Sequence, residues 1–498
     1  MSKYVVAFFS GLLFSLGFSP FNLFIFTLIS LSLFLLLLEK SNTLEESFRI
    51  SFIYGLGVWS IGISWVIVSI YYHGNVSLIG SILITSLFIA ILALYKSLIG
   101  IIYFKLRTKF IINCLVLFPF AWVFIETIRG ILFSGFPWLS LGVSISNSSL
   151  SGFLPIIGSS GSSVILCLIS GLILVILNFN NKSSNLKNNG LKVRVISGLS
   201  LIIFISLPPL LLNKISWTNE IAKQKVTIYQ PNLTLDQKWS YEGIAKTRNL
   251  LKNALLKAES KEMIVFPETA FISNKQSREI YFKSLEDLLT KKNILLIAGV
   301  LGESEKGRTN TIKGYGLAEG RYDKIKLVPF GEYVPFSNIL GNLLNFIGIN
   351  ITNMQAGEQF NTIKANGYDI SPTICYEIAF DSIVAETADR SNLFVTLSND
   401  TWFGDSIGPY QHLEIAQTRA IEHERSIIRA TNSGISAIIN EKGKVQGNIE
   451  IFGKDSLTSI VSIRKGTTPY SILKNYPLYL YLLLVLLYLY YKKRTNVT

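Results

Sequence analysis

The sequence predicts a chain in two parts, a multi-span α-helical membrane domain and an α/β domain outside the bilayer. Three observations predict it. Residues 4–213 form one apolar run after another, residues 214–475 alternate short β-branched runs with helical patterns, and residues 476–491 are apolar again. Across all 498 residues only 16% are charged and 49% are hydrophobic, against roughly 25% charged in ordinary soluble domains. Lipid-facing helices produce that deficit, and mean hydropathy is accordingly +0.42.

A hydrocarbon core of about 30 Å needs about 20 mostly apolar residues per helix. Seven segments meet this pattern near residues 4–19, 21–39, 51–71, 78–104, 111–128, 153–178 and 195–213, and an eighth lies near 474–491. Phe18-Ser19-Pro20-Phe21 separates the first two as a tight turn, because proline cannot continue a helix. A cleaved signal peptide is the rival reading of the first segment, but further spans follow at once and no small-residue cleavage site is clear. Basic residues follow alternate spans: Lys40 and Arg49; Lys105, Arg107 and Lys109; Lys182, Lys187, Lys192 and Arg194; Lys492, Lys493 and Arg494. The positive-inside rule then puts both termini in the cytoplasm and the α/β part on the far side of the membrane. The expected divisions are a membrane domain of seven helices over 1–213, an extracytoplasmic domain over 214–473, and a last helix with a basic tail over 474–498.

The net charge of +14 follows this topology. No Arg-rich arm or nucleic-acid motif accompanies it, so no nucleic acid is expected as a partner. Cys114, Cys167 and Cys375 are far apart and two lie in predicted spans, which suggests neither a disulfide framework nor a zinc cluster. His73, His412 and His423 are too scattered for a typical metal site, and none is expected. Few charges sit deep in the spans, which argues against an ion pathway. Glu126 and Arg129 are the exception, spaced as an i,i+3 helix pair; a lipid head group is the alternative partner. Gly158-Ser159-Ser160-Gly161-Ser162 lacks the lysine of a phosphate loop and suits close helix approach instead.

In the α/β part, strands are expected at Val226–Gln230, Met263–Phe266, Ile294–Val300, Ser371–Cys375, Leu393–Ser398, Ile427–Thr431, Ser436–Asn440 and Leu457–Ile463. Helices are expected at 241–259, 276–291, 378–389 and 409–425. Such alternation implies a layered α/β domain. Three strand or loop ends carry chemistry. Phe266-Pro267-Glu268 puts a carboxylate just past a buried strand, Tyr322-Asp323-Lys324 precedes Leu327–Tyr333, and Cys375 is the domain's only thiol, at a strand end before a helix. A thiol there, or beside a cation, is readily deprotonated. A nearby glutamate can take its proton, and a lysine can stabilise an oxyanion. Each residue alone also has an ordinary reading: a buried structural cysteine, a solvated loop carboxylate, a lysine in a basic stretch with Lys326. His412 keeps a Cys-His pair open.

Taken together these motifs resemble a known family. The α/β part resembles the nitrilase superfamily, and the whole chain resembles the membrane-embedded apolipoprotein N-acyltransferases. The resemblance rests on Phe266-Pro267-Glu268-Thr269-Ala270, Tyr322-Asp323-Lys324 with Leu327–Pro335, Cys375-Tyr376-Glu377, Ser398–Gly404 and Ala430–Ile435. Phe18-Ser19-Pro20 and Gly135-Phe136-Pro137-Trp138 extend it into the membrane half. It implies a nitrilase-like α-β-β-α sandwich with Glu268, Lys324 and Cys375 as catalytic triad. Lys324 is preferred over Lys326 because it stands eight residues before Glu332, the family's spacing. Trp239, Glu332, Tyr376, Glu377 and Trp402 match the family's substrate-binding positions.

The resemblance further implies acyl transfer from a phospholipid, through a thioester on Cys375, to the α-amino group of a diacylglyceryl-modified apolipoprotein. No cofactor is implied. The expected location is a bacterial inner membrane, with the catalytic domain on the periplasmic side. The rival readings are a membrane-tethered amidase or nitrilase acting on a small external substrate, and a scaffold or transporter carrying a degenerate enzyme-like domain. Ile339–Ile351 is apolar but too short to span, and reads equally as a lipid-touching lid or a core helix.

Overall fold

The computed structural model describes residues 2–74, 76–182, 189–335 and 353–495; the apolar stretch 339–351 lies outside them. The chain divides into two compact units. One contains Met1–Tyr71, Asn75–Ser216 and Leu473–Thr498, the other Tyr72–Gly74 and Trp217–Ile472.

The first unit is helical. Leu78–Leu106, Phe110–Ser134 and Ser149–Leu177 are long and apolar enough to cross a membrane, and Leu44–Gly62 with Trp65–His73, bent by 58°, brings the number to as many as four among the described residues. The other four expected segments hold shorter apolar helices, at Lys3–Ser15, Phe24–Glu39, Ser200–Leu212 and Tyr476–Lys492. The 13 residues of Lys3–Ser15 rise about 20 Å, short of a hydrocarbon core of about 30 Å. Arg129 and Glu126 do pair, 3.6 Å apart, with Arg129 buried. Glu126 also accepts hydrogen bonds from the Leu141 N–H (2.9 Å) and Ser163 Oγ (2.8 Å), while Arg129 donates to the carbonyls of Phe136 and Trp138. The pair therefore clamps the Gly135–Trp138 turn. Lys96 is a further deep charge, not expected from the sequence, buried with Nζ 3.4 Å from the Trp122 ring centroid. Its aliphatic stem blends into an apolar helix, and an aromatic face receives the ammonium.

The second unit carries strands β1 (Thr218–Gln230), β2 (Met263–Phe271), β3 (Leu295–Ser304), β4 (Gly307–Gly316), β5 (Ala318–Glu319), β6 (Arg321–Asp323), β7 (Ile363–Ala365), β8 (Tyr368–Ile374), β9 (Leu393–Ser398), β10 (Ile427–Thr431), β11 (Ser436–Ile439), β12 (Val445–Ile449) and β13 (Asp455–Gly466). One sheet runs β13-β1-β2-β3-β4-β6 and the other β12-β11-β10-β9-β8-β7-β5. Each is built around three parallel strands, β1-β2-β3 and β8-β9-β10, flanked by antiparallel ones.

Strand alternation makes the layers. Met263 and Val265 of β2 enter a core shared with Ile370, Leu393, Val395 and Ile428 of the other sheet. Ile264 and Phe266 point the opposite way, against Leu251 and Leu255 of helix Tyr241–Lys257 and Phe282 of helix Lys275–Lys283. Both faces are covered, so the central strands read as unbroken apolar runs. Helices Asp381–Ala388 and Gly408–His423 cover the second sheet. This is the expected α-β-β-α sandwich. Strands β4 to β7 and β12 escaped the sequence reading. Arg308-Thr309-Asn310-Thr311 is polar, yet Thr309, Asn310 and Thr311 are buried. The chain turns that polarity inward, where it meets the site below.

Where β2 ends, β3 passes unusually close. A Cβ on Gly299 would lie 2.3 Å from Pro267 O, 2.6 Å from Thr269 N and 2.7 Å from Glu268 Cα. Gly299→Ala should therefore lower stability by about 1–3 kcal/mol, read as a lower thermal unfolding midpoint in detergent. An unchanged midpoint would mean that the end of β2 yields without cost.

Candidate active site

Glu268 lies within β2, past the point where its pairing with β3 slips between Phe266 and Phe271. Lys324 directly follows β6, and Cys375 directly follows β8. The carboxylate and the thiol thus stand toward the C-terminal ends of parallel strands, one in each sheet, a common place for chemistry in α/β folds.

Lys324 is only 1% exposed. Its Nζ lies 3.0 Å from Glu332 Oε1 and 2.9 Å from Oε2, and 3.6 Å from Glu268 Oε1. Asn310 of β4 donates from Nδ2 to both acids, to Glu268 Oε1 at 2.6 Å and Glu332 Oε1 at 3.0 Å. The Lys324 N–H donates to the Asn310 carbonyl (2.8 Å), and the Val328 N–H donates to Glu332 Oε2 (2.8 Å). Burial works against the lysine's charge. The Glu332 and Glu268 carboxylates, with a smaller contribution from Cys375, outweigh burial and hold its pKa above the ordinary value. Lys324 is a fixed cation.

Cys375 opens the single 3₁₀ turn Cys375–Ala379 with φ +52°, a left-handed conformation costly for a residue with a side chain. Its thiol is not readily deprotonated, contrary to expectation. Burial pushes it up to about 12, and the negative charges of Glu268 and Asp400 add to this; Lys324 and a hydrogen bond with Ser398 act in the opposite direction. One 3₁₀ turn supplies too little aligned dipole to offset that desolvation.

The remaining candidates separate. Lys326 stays out of the cluster, its Nζ 5.0 Å from the Phe380 ring centroid. Glu332 faces Lys324 rather than open space. Glu377 is fully buried: Oε1 accepts from Tyr322 Oη (2.8 Å) and the N–H groups of Ile325 (2.7 Å) and Lys326 (3.0 Å), and Oε2 accepts from the Ile374 N–H (2.8 Å). It ties the segment after Lys324 to the end of β8, a bracing contact where the resemblance implied substrate. Tyr376 packs edge-on to Phe380 at 5.0 Å, and Trp239 and Trp402 expose 54% and 38% of their surface. His412 meets the Cys375 carbonyl, 3.1 Å from Nε2.

Two residues escaped the sequence reading. Asn310 was hidden in a polar stretch that gave no strand signal. Lys238 is buried beside the exposed Trp239, and its Nζ donates to the Glu268 carbonyl (2.8 Å) and Thr269 Oγ1 (2.7 Å). Burial lowers its pKa to about 8, opposed by Glu268 and Cys375. Thr269 itself has φ +44°. The backbone around the candidate base is therefore bent and held by a buried ammonium. The arrangement can accept a proton at Glu268, form a covalent bond at sulfur, and face a developing negative charge with Lys324.

Comparison with known proteins gives the family. Residues 10–172 match the model of the apolipoprotein N-acyltransferase N-terminal domain, and residues 225–468 match the carbon-nitrogen hydrolase model. Apolipoprotein N-acyltransferase of Haemophilus influenzae is 34% identical over 502 residues, covering 97% of this chain and 94% of that one. The Coxiella burnetii and Photobacterium profundum proteins of the same name are 33% and 32% identical, covering 95% of this chain in each case and 96% and 91% of theirs. With a helical membrane unit, a carbon-nitrogen hydrolase sandwich and relatives matched from end to end, this chain is an N-acyltransferase and belongs to the apolipoprotein N-acyltransferase family.

Proposed function

We propose that the chain moves an acyl group from a phospholipid to Cys375, and from that thioester to the α-amino group of the N-terminal diacylglyceryl-cysteine of an apolipoprotein. One observation carries the reading: a permanently charged, buried Lys324 lies between two carboxylates and within electrostatic reach of the Cys375 thiol. The family relationship supplies the lipoprotein acceptor.

In the first half-reaction Glu268 takes the Cys375 proton as sulfur bonds to the ester carbonyl carbon. Lys324 and backbone N–H groups face the oxyanion. The bond between the acyl carbon and the glycerol oxygen then breaks, the leaving oxygen takes the proton from Glu268, and a lysophospholipid departs. In the second, the acceptor amine bonds to the thioester carbon and gives its proton to Glu268. The C–S bond breaks and the proton returns to sulfur. The ester already holds the acyl group, so the scheme needs no cofactor. Residues 1–213 and 474–498 would hold the enzyme in a bacterial inner membrane, with both termini cytoplasmic and residues 214–473 in the periplasm. The distribution of Lys and Arg along the spans supports that orientation.

Intact mass spectrometry of the detergent-purified protein after incubation with phosphatidylethanolamine tests the donor. The expected result is a gain of one acyl chain, removed by hydroxylamine and absent in Cys375→Ala. No adduct on a folded protein would shift the reading to an amidase.

A second prediction concerns the thiol. With its pKa raised to about 12, Cys375 is protonated at neutral pH, so free thiolate grows as pH rises. Its alkylation by iodoacetamide should accelerate roughly tenfold per pH unit from about pH 7 to 9. A rate already flat across that range would reveal a standing thiolate and remove the need for Glu268 as base.

A further inference from the structure

The sandwich buries a second charged cluster that the acyl-transfer scheme leaves unused. Asp400, His412 and Arg429 are all buried. Arg429 Nη2 lies 2.5 Å from Asp400 Oδ2 and 3.0 Å from His412 Nδ1, and Arg429 Nε donates to the Ile435 carbonyl at 3.1 Å. Desolvating such groups is expensive, and apolar side chains of similar volume often stabilise a fold as well or better. The cluster therefore calls for a reason beyond stability. It presents His412 Nε2 to the carbonyl oxygen of Cys375, at 3.1 Å.

The tautomer follows from the partners. A carbonyl oxygen only accepts, so Nε2 carries the hydrogen. Burial, and then the Arg429 charge, disfavour a second proton on the ring. Nδ1 lies 3.0 Å from both Arg429 Nη2, a donor, and Asp400 Oδ1, an acceptor. A hydrogen on Nε2 satisfies the Cys375 carbonyl and leaves Nδ1 to accept from Arg429, whereas a hydrogen on Nδ1 would satisfy Asp400 alone. The ring is held in one orientation and one protonation state, with its N–H aimed at the nucleophile's backbone.

That backbone is special. Cys375 is left-handed, at φ +52°. Its peptide to Tyr376 is trans, since Ser19–Pro20 is the cis bond among the described residues. A trans peptide directs C=O and N–H oppositely. Holding the Cys375 oxygen therefore sets the direction of the Tyr376 N–H, the backbone donor next to the sulfur. We propose that His412, oriented by Asp400 and Arg429, is a positioning residue: it locks the Cys375–Tyr376 peptide so that the Tyr376 N–H, with Lys324, receives the oxyanion of acyl transfer. The inference rests on Cys375 as the acyl carrier, and it gives the conspicuous Asp400 of the Ser398–Gly404 motif a task.

The test separates attack that creates an oxyanion from attack that does not. Iodoacetamide alkylates sulfur at a saturated carbon and needs no oxyanion donor; p-nitrophenyl butyrate acylates it through a tetrahedral oxyanion. In the full-length protein in detergent, His412→Phe keeps a ring but removes the N–H. The acylation burst should slow by about 10- to 100-fold, with alkylation at the same pH within about twofold of wild type. His412→Gln, whose amide nitrogen can stand near the position of Nε2, should recover most of the loss. His412→Asn, with a shorter arm, should not. Equal loss of acylation and alkylation, no loss of either, or equal behaviour of Gln and Asn would overturn the proposal. The Gln–Asn comparison keeps the test decisive if His412→Phe fails to fold. A wild-type protein acylated by the nitrophenyl ester but not by phospholipid would defeat the phospholipid donor and leave this proposal standing. One acylated by neither would remove the Cys375 chemistry beneath both.

Discussion

An ammonium group with 1% exposure must be compensated where it lies, and for Lys324 the compensation is two carboxylates from different parts of the chain. Glu268 comes from the end of β2, and Glu332 from the segment after Lys324. Asn310 of β4 holds both acids, and Glu377 braces the residues between Lys324 and Glu332 against β8. Removing one member would strand the others as unpaired buried charge, at a typical cost of about 3–5 kcal/mol. Strands β2, β4 and β6 of the first sheet must therefore keep one register at this point, and Glu377 ties the end of β8 in the second sheet to it. The polar interior of β4, anomalous for a buried strand, is the consequence of that requirement.

The same region stores strain at two places. Thr269 follows the candidate base with φ +44°, and Cys375 has φ +52°. Left-handed backbone at residues with side chains costs about 1–3 kcal/mol each. Lys238 anchors the first, through the Glu268 carbonyl and Thr269 Oγ1, and His412 contacts the carbonyl of the second. Hydrogen bonds to charged groups contribute about 1.5–3 kcal/mol, so the Lys238 pair is of the size needed to offset the strain at Thr269. Close passage of Gly299 behind Glu268 leaves the bent segment no room to relax. Acid and thiol are thus held by backbone contacts as much as by their own side-chain partners.

Legibility from sequence followed burial pattern. The eight expected strands are present because apolar, β-branched runs bounded by turn residues force that reading. Glu268, Lys324 and Cys375 were visible as polar residues placed just past such runs. Strand β4 was not, because its buried Thr-Asn-Thr face looks like a solvated loop until Lys324 and the two acids are set beside it. Lys238 was invisible for a related reason: a lysine next to an exposed tryptophan gives no sign that its amine turns inward. Glu377 stood in a motif that implied substrate contact, and its burial under four hydrogen bonds from Tyr322, Ile325, Lys326 and Ile374 was not legible there. In the helical unit, apolar composition marked every segment correctly as helix. It could not set their lengths, and so among the described residues three or up to four, rather than eight, are long enough to span by length and composition.

A raised thiol pKa opposes the first step of the proposed chemistry, yet it suits an enzyme whose intermediate must wait. A thiol that holds its proton tightly forms a thiolate that leaves reluctantly, so the thioester would resist chance hydrolysis. It would yield to an α-amine, a stronger nucleophile than water, once Glu268 can take the amine's proton. Forming the thioester needs the reverse help, and the fixed Lys324 charge supplies it by opposing negative charge on sulfur and on the oxyanion alike. A cation that titrated near neutrality would lose that ability as pH rose. Glu332 therefore matters although it need not touch substrate: it gives Lys324 a carboxylate partner, 2.9 Å away, that takes no part in the proposed proton transfers.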